Sequence, residues 1–434
     1  MKGARKELSA TGLLTRVREQ FMKVKDVQKR SSDYSLTDCL MSGLAIFGLK
    51  YPSLLQFDKT KQEDYTRHNL TTLYGVSKAP CDTQLRKRLD EVDTQELSRA
   101  FNTVITALQR GKELEGYAFY EGYYLVPLDA TGFFSSNDIH CESCCQKHHR
   151  DGSITYYHQM LSAVIVHPAY KEVFPFAPEA IIAQDGHRKN DCERNAAKRL
   201  LPRLRKEHPH LKMIIAGDGL YSNGPFIHLL NSLSMRYILT AKPDDHAYLM
   251  EFFNVAEKIT LDRVDNQNTQ HHYEFCNGLP LNDTHADVLV NVIHYTQTLS
   301  DGTVQHFTWV TDFTVTTDNV AALTKGGRAR WKIENETFNI LKNQGYQFEH
   351  NFGHGTKHLS NVFAHLMMLA FFIDQVQQRC CALFKAALLK KGARNRLWAS
   401  VRGLTLHYYI KSWEDLFNAI AFGYHGAELA PNTS

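Results

Sequence analysis

Two short apolar runs that each end at an aspartate restrict the fold of this chain more than any other feature. Tyr123-Tyr124-Leu125-Val126-Pro127-Leu128 leads to Asp129, and Leu211-Lys212-Met213-Ile214-Ile215-Ala216-Gly217 leads to Asp218. Short apolar runs bounded by turn-forming residues read as buried strands. An acid just past such a strand sets its carboxylate at the carboxyl edge of the sheet, where ligands gather in open α/β folds. Gly219 predicts a sharp exit of the chain after Asp218. A lone acid at a strand end, in a chain with 46 Asp and Glu residues, is more often a solvated turn or a helix cap. Order along the chain is what sets these two apart.

Between and beyond them the pattern reads as apolar strands around His158 to His167 and Val173 to Ala183, then a basic helix. Asn190 and Glu193 stand at its start with capping-box spacing, and Lys198, Arg199, Arg203, Arg205 and Lys206 lie along it as an exposed face. The strand with Asp218, a further helix and a strand over Arg236 to Ala241 follow. This is the element order of an RNase H-like core, an α/β fold with a mixed sheet flanked by helices. A third acid, Glu334, lies in the stretch from Gly327 to Gln344, where Trp331, Ile333, Phe338 and Leu341 recur with a rough helical period among charges. Carboxylates arriving from three elements are what two-metal phosphoryl transfer requires, because Mg²⁺ or Mn²⁺ takes hard oxygen ligands and two ions must hold both the attacking and the leaving oxygen.

At Glu334 a family resemblance emerges. Gly327-Arg328-Ala329-Arg330-Trp331-Lys332-Ile333-Glu334, continuing to Phe338, Leu341 and Lys342, resembles the arginine-glutamate-lysine signature of DDE transposases from bacterial insertion sequences, the branch with a β-rich insertion before the final acid. Leu128-Asp129-Ala130-Thr131 and Ala216-Gly217-Asp218-Gly219 resemble that family's other two acid blocks. The resemblance spans roughly residues 120 to 375. Arg330 matches the signature arginine, four residues before the glutamate and on the same helical face. The signature's tyrosine falls on Gly327, and its lysine falls on Leu341 with Lys342 one place late. Glu336 is a competing acid, and it faces another side of the helix.

The resemblance implies a DNA transposase with Asp129, Asp218 and Glu334 as catalytic acids and ligands of Mg²⁺ or Mn²⁺. It implies double-stranded DNA with terminal inverted repeats and target DNA as partners, a homodimer on the paired ends, and a bacterial cytoplasmic, nucleoid-associated location. Arg328, Arg330, Lys332 and Lys342 are the expected phosphate contacts, and Trp331 is placed to stack on an unpaired base. A Trp at helical spacing is more often part of a core. Two other readings stay open: a structure-specific endonuclease on the same core that cleaves without joining, and a sequence-specific DNA-binding descendant of a transposase without catalysis.

Nine cysteines with adjacent pairs at Cys144-Cys145 and Cys380-Cys381 fit a reducing compartment better than a disulfide framework. One group has metal-ligand spacing: Cys141 and Cys144 have a knuckle's two-residue gap, and His148 or His149 follows, with His149 the preferred third ligand of a structural Zn²⁺. A fourth ligand would come from His140, Cys145 or the distant His158; without one the segment is a polar hairpin loop. His350, His354 and His358 are spaced by four, but Gly353 and Gly355 make Glu349 to Gly355 a loop whose histidines face phosphate.

Five regions are expected: a helical 1–115 with a role at DNA ends, a first part of the core over 116–241, a β-rich insertion over 242–312, the core with the final acid over 313–378, and a helical tail over 379–434, with Lys390-Lys391-Gly392 stopping a helix. A net charge of +4 permits nucleic-acid binding without arguing for it. Clustering says more, since nine basic residues precede Asp33, namely Lys2, Arg5, Lys6, Arg16, Arg18, Lys23, Lys25, Lys29 and Arg30, against three acids. A solvated amphipathic helix explains them equally well. No apolar run is expected to reach the length a bilayer demands, and Val362 to Ile373 reads as a buried core helix.

Overall fold

The computed structural model describes residues 7–27, 33–184, 189–190 and 192–423. Lys2, Arg5, Lys6, Lys29 and Arg30, and residues 424–434 of the expected helical tail, lie outside the described residues.

The N-terminal region is helical, as its pattern predicts: α1 (Ala10–Phe21), α2 (Leu36–Gly48), α3 (Leu54–Thr60), α4 (Asp64–Tyr74), α5 (Asp82–Asp90) and α6 (Ser98–Arg110). Ser9, Ser35 and Ser53 start the first three by accepting a hydrogen bond from the amide three residues on, which satisfies a helix-end donor. The sheet begins with β1 (Ala118–Tyr120) and β2 (Tyr123–Ser136), followed by β3 (Cys145–His148), β4 (Ile154–Ile165), β5 (Phe174–Pro175) and β6 (Glu179–Ile181). A small separate ladder, β7 (Ala183–Gln184) and β8 (Lys189–Asn190), precedes α7 (Glu193–Glu207). Next come β9 (Met213–Gly217), α8 (Gly224–Ser232), β10 (Arg236–Thr240), α9 (Ala247–Val255) and four strands, β11 (Ile259–Val264), β12 (Gln270–Pro280), β13 (Leu289–Thr298) and β14 (Val304–Thr311).

These strands form one mixed sheet of 12 in which the main path runs β11-β12-β13-β14-β10-β9-β2-β4-β3. β2 lies parallel to β9, which lies parallel to β10. β2 is antiparallel to β4, and β4 to β6. The parallel strands read as continuous apolar runs because both their faces are covered, and Met213–Gly217 is buried at every position. The expected insertion is present as four antiparallel strands, but β14 pairs with β10, so it extends the core sheet instead of standing apart.

Beyond β14 a helical run holds α10 (Val320–Arg328), a tight turn over Ala329–Trp331, a π turn over Glu334–Phe338, and α11 (Asn339–Asn343). The chain ends with α12 (Leu359–Cys380), α13 (Ala382–Lys391), α14 (Arg394–His407) and α15 (Trp413–Phe422). Gly392, in left-handed backbone at φ 70°, stops α13 where the sequence predicts.

One correction concerns α12. Its 22 residues are long and apolar enough to cross a membrane, which no run was expected to be, yet 94% of its most apolar window is buried inside the protein. Its polar Asn361, His365, Gln375 and Gln377 are buried along with the apolar residues, so the helix is covered all round. It packs on α2, α5 and α6 and on the tail, so the N-terminal and C-terminal helices share one core with the sheet. Its N-terminus has no cap of its own. Asp90, at the end of α5, instead accepts hydrogen bonds from the amides of Thr356, Lys357, His358 and Leu359 at 2.9–3.0 Å. Lys50, fully buried, meets Asp374 of α12 at 2.7 Å, and Tyr346 donates to the same carboxylate at 2.6 Å.

Candidate functional site

Asp129 stands where β2 loses its parallel partner. Pro127 is the last residue paired with β9, and Asp129 already pairs with Ser162 of β4. The strand does not end there, as its first apolar run suggested; it continues to Ser136 as one arm of the hairpin with β4. The carboxylate still emerges at the carboxyl edge of β9 and β10. Asp218 follows the last residue of β9, and its side chain accepts from the amide of Leu220 at 3.0 Å, closing an Asx turn. That turn, and not left-handed backbone at Gly219, redirects the chain. The residue that must be glycine is Gly217, where a Cβ would come within 2.9 Å of the Tyr221 ring.

Arg330 joins the first acid to the third. Its Nη2 lies 2.8 Å from Glu334 Oε1, and its Nη1 lies 3.5 Å from Asp129 Oδ2. The arginine and glutamate are four apart on one helical run, and that run crosses the sheet edge beside β2. The Asp129 carboxyl is pushed up to about 7, chiefly by burial, with Glu334 and Glu193 adding repulsion and Arg330 opposing it. Glu193 is a fourth acid here, which the sequence suggested only as half of a cap. Helix α7 in fact starts after Cys192 with no side-chain cap, and burial together with Asp218 raises the Glu193 carboxyl. The buried Tyr221 phenol is raised chiefly by burial, and Glu193, Asp218 and Asp129 each add to the shift.

The π turn begins at Glu334. It holds one more residue than an α turn, and such bulges are frequent at functional sites. Lys342, eight residues after Glu334, is thereby carried to about the face that a lysine seven residues on would have in a regular helix. Its ammonium is exposed enough to pair with Glu349 at 2.9 Å, while Leu341 is fully buried. Gly327 has an equally local cause: a Cβ there would lie 2.5 Å from the Trp309 indole.

The other basic candidates divide. Arg328 lies over the Phe307 ring at 4.1 Å and donates to Gln297. Trp331 is 42% exposed, so it is not core, and it lines a groove with Arg328, Arg330, Phe307 and Trp309. Lys332 turns inward: its ammonium donates to the Tyr170 carbonyl at 2.7 Å, and burial lowers it, so it faces no phosphate. On α7, Lys198 and Lys206 are exposed as expected, whereas Arg199 and Arg203 pair with Glu179 and Arg205 donates to the carbonyls of Leu233 and Leu211, so the three arginines tie the helix to its neighbours.

The cysteine knuckle keeps His158, one of the candidates for its fourth ligand, and is corrected at His149, whose place His354 takes. Cys141 and Cys144 converge with His158 of β4 and His354 of the loop before α12, all four ligand atoms lying within 4.8 Å of one another. Such a group can hold a metal ion such as Zn²⁺. His149 is not part of it, because its ring hydrogen-bonds Thr155 at 2.8 Å beyond the β3–β4 turn. Cys145 points away and donates to the Ile181 carbonyl. His140 stacks on Tyr156. Among the described residues this is the only group of three or more potential ligands so close, and Asp129, Asp218 and Glu334 do not converge to that degree.

No protein-family model matches the chain, and no curated protein matches it significantly. The function therefore rests on the site itself.

Proposed function

We propose that this chain is a DDE-type DNA transposase with an RNase H-like core, which cleaves DNA at the ends of an insertion sequence and joins them to target DNA. The observation that carries this reading is the shared guanidinium of Arg330, paired with Glu334 on a helix and with Asp129 on the central strand, beside Asp218 at the end of the adjacent parallel strand. The strand order β6-β4-β2-β9-β10, antiparallel on one side of β2 and parallel on the other, supports the core assignment. The π turn before Lys342 and the indole packed against Gly327 are local features that support the reading at the two positions where the chain departs from the family signature.

The donor set fits hard divalent cations. Asp129 is a partly buried acid whose ionised form is disfavoured chiefly by burial, a cost that a bound Mg²⁺ or Mn²⁺ would offset. Bound there, two such ions would activate water or a 3′ hydroxyl and stabilise the leaving oxygen. Asp129, Asp218 and Glu334 would hold them, with Glu193 able to add or exchange a carboxylate. Arg330 holds the negative site together in their absence and is free to take a phosphate oxygen near the scissile bond once the acids are neutralised. The groove of Arg328, Phe307, Trp309 and Trp331 offers a cation and ring faces beside that point, the combination that strand ends with unpaired bases use.

The test is incubation of the full chain with Mg²⁺ or Mn²⁺ and labelled DNA carrying the repeats that flank its gene, beside Glu334→Ala. Cleavage at the repeat boundary with joined products, both lost in the variant, is expected. Cleavage without joining would favour the endonuclease reading, and end binding without cleavage the DNA-binding descendant.

A further inference from the structure

We propose that Cys141, Cys144, His158 and His354 form a closed structural zinc centre that straps the loop behind the Glu334 helical run to the hairpin carrying Asp129. The geometry is that of an ion's coordination shell. Zinc binds thiolate sulfur at about 2.3 Å and imidazole nitrogen at about 2.0–2.1 Å, so a tetrahedron has S···S edges of about 3.8 Å and S···N edges of about 3.5 Å. Here Cys141 and Cys144 Sγ are 3.8 Å apart. Cys141 Sγ lies 3.5 Å from His158 Nε2, and Cys144 Sγ lies 3.4 Å from Nε2 of both His158 and His354.

Hydrogen bonds among four neutral groups would explain the closeness but not the burial. His158 is 1% exposed, and Nε2 of both His158 and His354 faces the sulfurs. Phe133 stacks on the His158 ring and Phe134 packs against His354, so the walls are apolar. Two thiols and two imidazole Nε2 atoms gathered in such a pocket carry a desolvation cost that metal ligation offsets. On binding, each thiol releases its proton to solvent and forms an S–Zn bond. Two thiolates then balance the ion's charge, so the centre is neutral and suits its apolar walls. Soft sulfur ligands select zinc over magnesium, and four protein ligands leave no open position for catalysis.

The placement gives the centre its role. Cys141 and Cys144 lie between β2 and β3, and His158 pairs across from Phe134 on the same hairpin. His354 comes from 210 residues beyond Cys144. The loop holding it leads from α11 to α12, so the ion joins the strand that positions Asp129 to the segment that follows Glu334.

Metal analysis of the full chain purified without added chelator should find about one zinc per chain. Cobalt in its place should give the visible bands of tetrahedral coordination and a near-ultraviolet thiolate charge-transfer band. Cys144→Ser and the loop variant His354→Gln should each lose the metal and that spectrum, while His149→Ala keeps both. Because Cys144→Ser can fail to fold, His354→Gln decides: a folded variant that has lost zinc should also exchange the amides of residues 344–358 faster than the parent. Absence of zinc together with failure to bind cobalt overturns the proposal, as does full zinc retention in His354→Gln. None of these readouts uses DNA cleavage, so they stand or fall apart from the transposase reading.

Discussion

Arg330 reaches Asp129 across the boundary between helix and sheet, at 3.5 Å, while the other arm of its guanidinium holds Glu334 at 2.8 Å. One cation therefore serves two acids of a group that also includes Glu193 and Asp218. Burial outweighs it at Asp129, whose carboxyl remains raised to about 7.

The burial of this carboxylate should be measurable as a cost to stability. The Asp129 carboxyl moves from 3.8 to about 7 on folding. Between those values the unfolded chain has lost the proton and the folded chain keeps it, so stability falls as pH rises through that window and the loss is complete above pH 7. Asp129→Asn should thus be more stable than the parent at about pH 8 without divalent cations, by on the order of 1–3 kcal/mol, with no difference near pH 4. Thermal midpoints across pH check this. A variant less stable than the parent at high pH would show that the carboxylate is a structural partner of Arg330 and not a destabilised site group.

Asp90 should behave in the opposite way. Burial opposes its ionisation, but the amides of Thr356, Leu359 and Lys357 outweigh that and hold its carboxyl below the ordinary range. A depressed carboxyl contributes stability that is present above its unfolded value and is lost as pH falls through the folded one. Asp90→Ala, which leaves the first turn of α12 uncapped, should cost about 1–2 kcal/mol near neutrality. The deficit should shrink once the medium is acidic enough to protonate the parent. Denaturation curves at two pH values separate this from a simple packing loss, for which the deficit would not change.

Gly327 offers a test of sign. Replacing a helical glycine with alanine ordinarily stabilises by up to about 1 kcal/mol. Here the added methyl would lie 2.5 Å from the Trp309 indole, so Gly327→Ala should instead destabilise by about 1–3 kcal/mol. A gain in thermal midpoint would mean that Trp309 can withdraw, and the physical account of the missing signature tyrosine would fail with it.

Much of the site was legible because its information is local. Asp129 and Asp218 follow apolar runs whose period is read from adjacent residues, and Arg330 and Glu334 share a face because they are four apart. The sequence by itself also determined the helical N-terminal region, the stop at Gly392 and the pairing of Cys141 with Cys144. Tertiary structure alone decided the rest. Glu193 joins the acids because of where α7 begins against the sheet edge, and Lys332 turns inward because Tyr170 waits there. His354 replaces His149, and His158 is chosen from the candidate fourth ligands, because the loop before α12 and β4 meet at the knuckle, whereas His149 opens the β3–β4 turn at the far end of β3. Periodicity encodes which face a side chain takes on its own element. Which element meets that face depends on pairings across tens to hundreds of residues, set by the burial of the whole core.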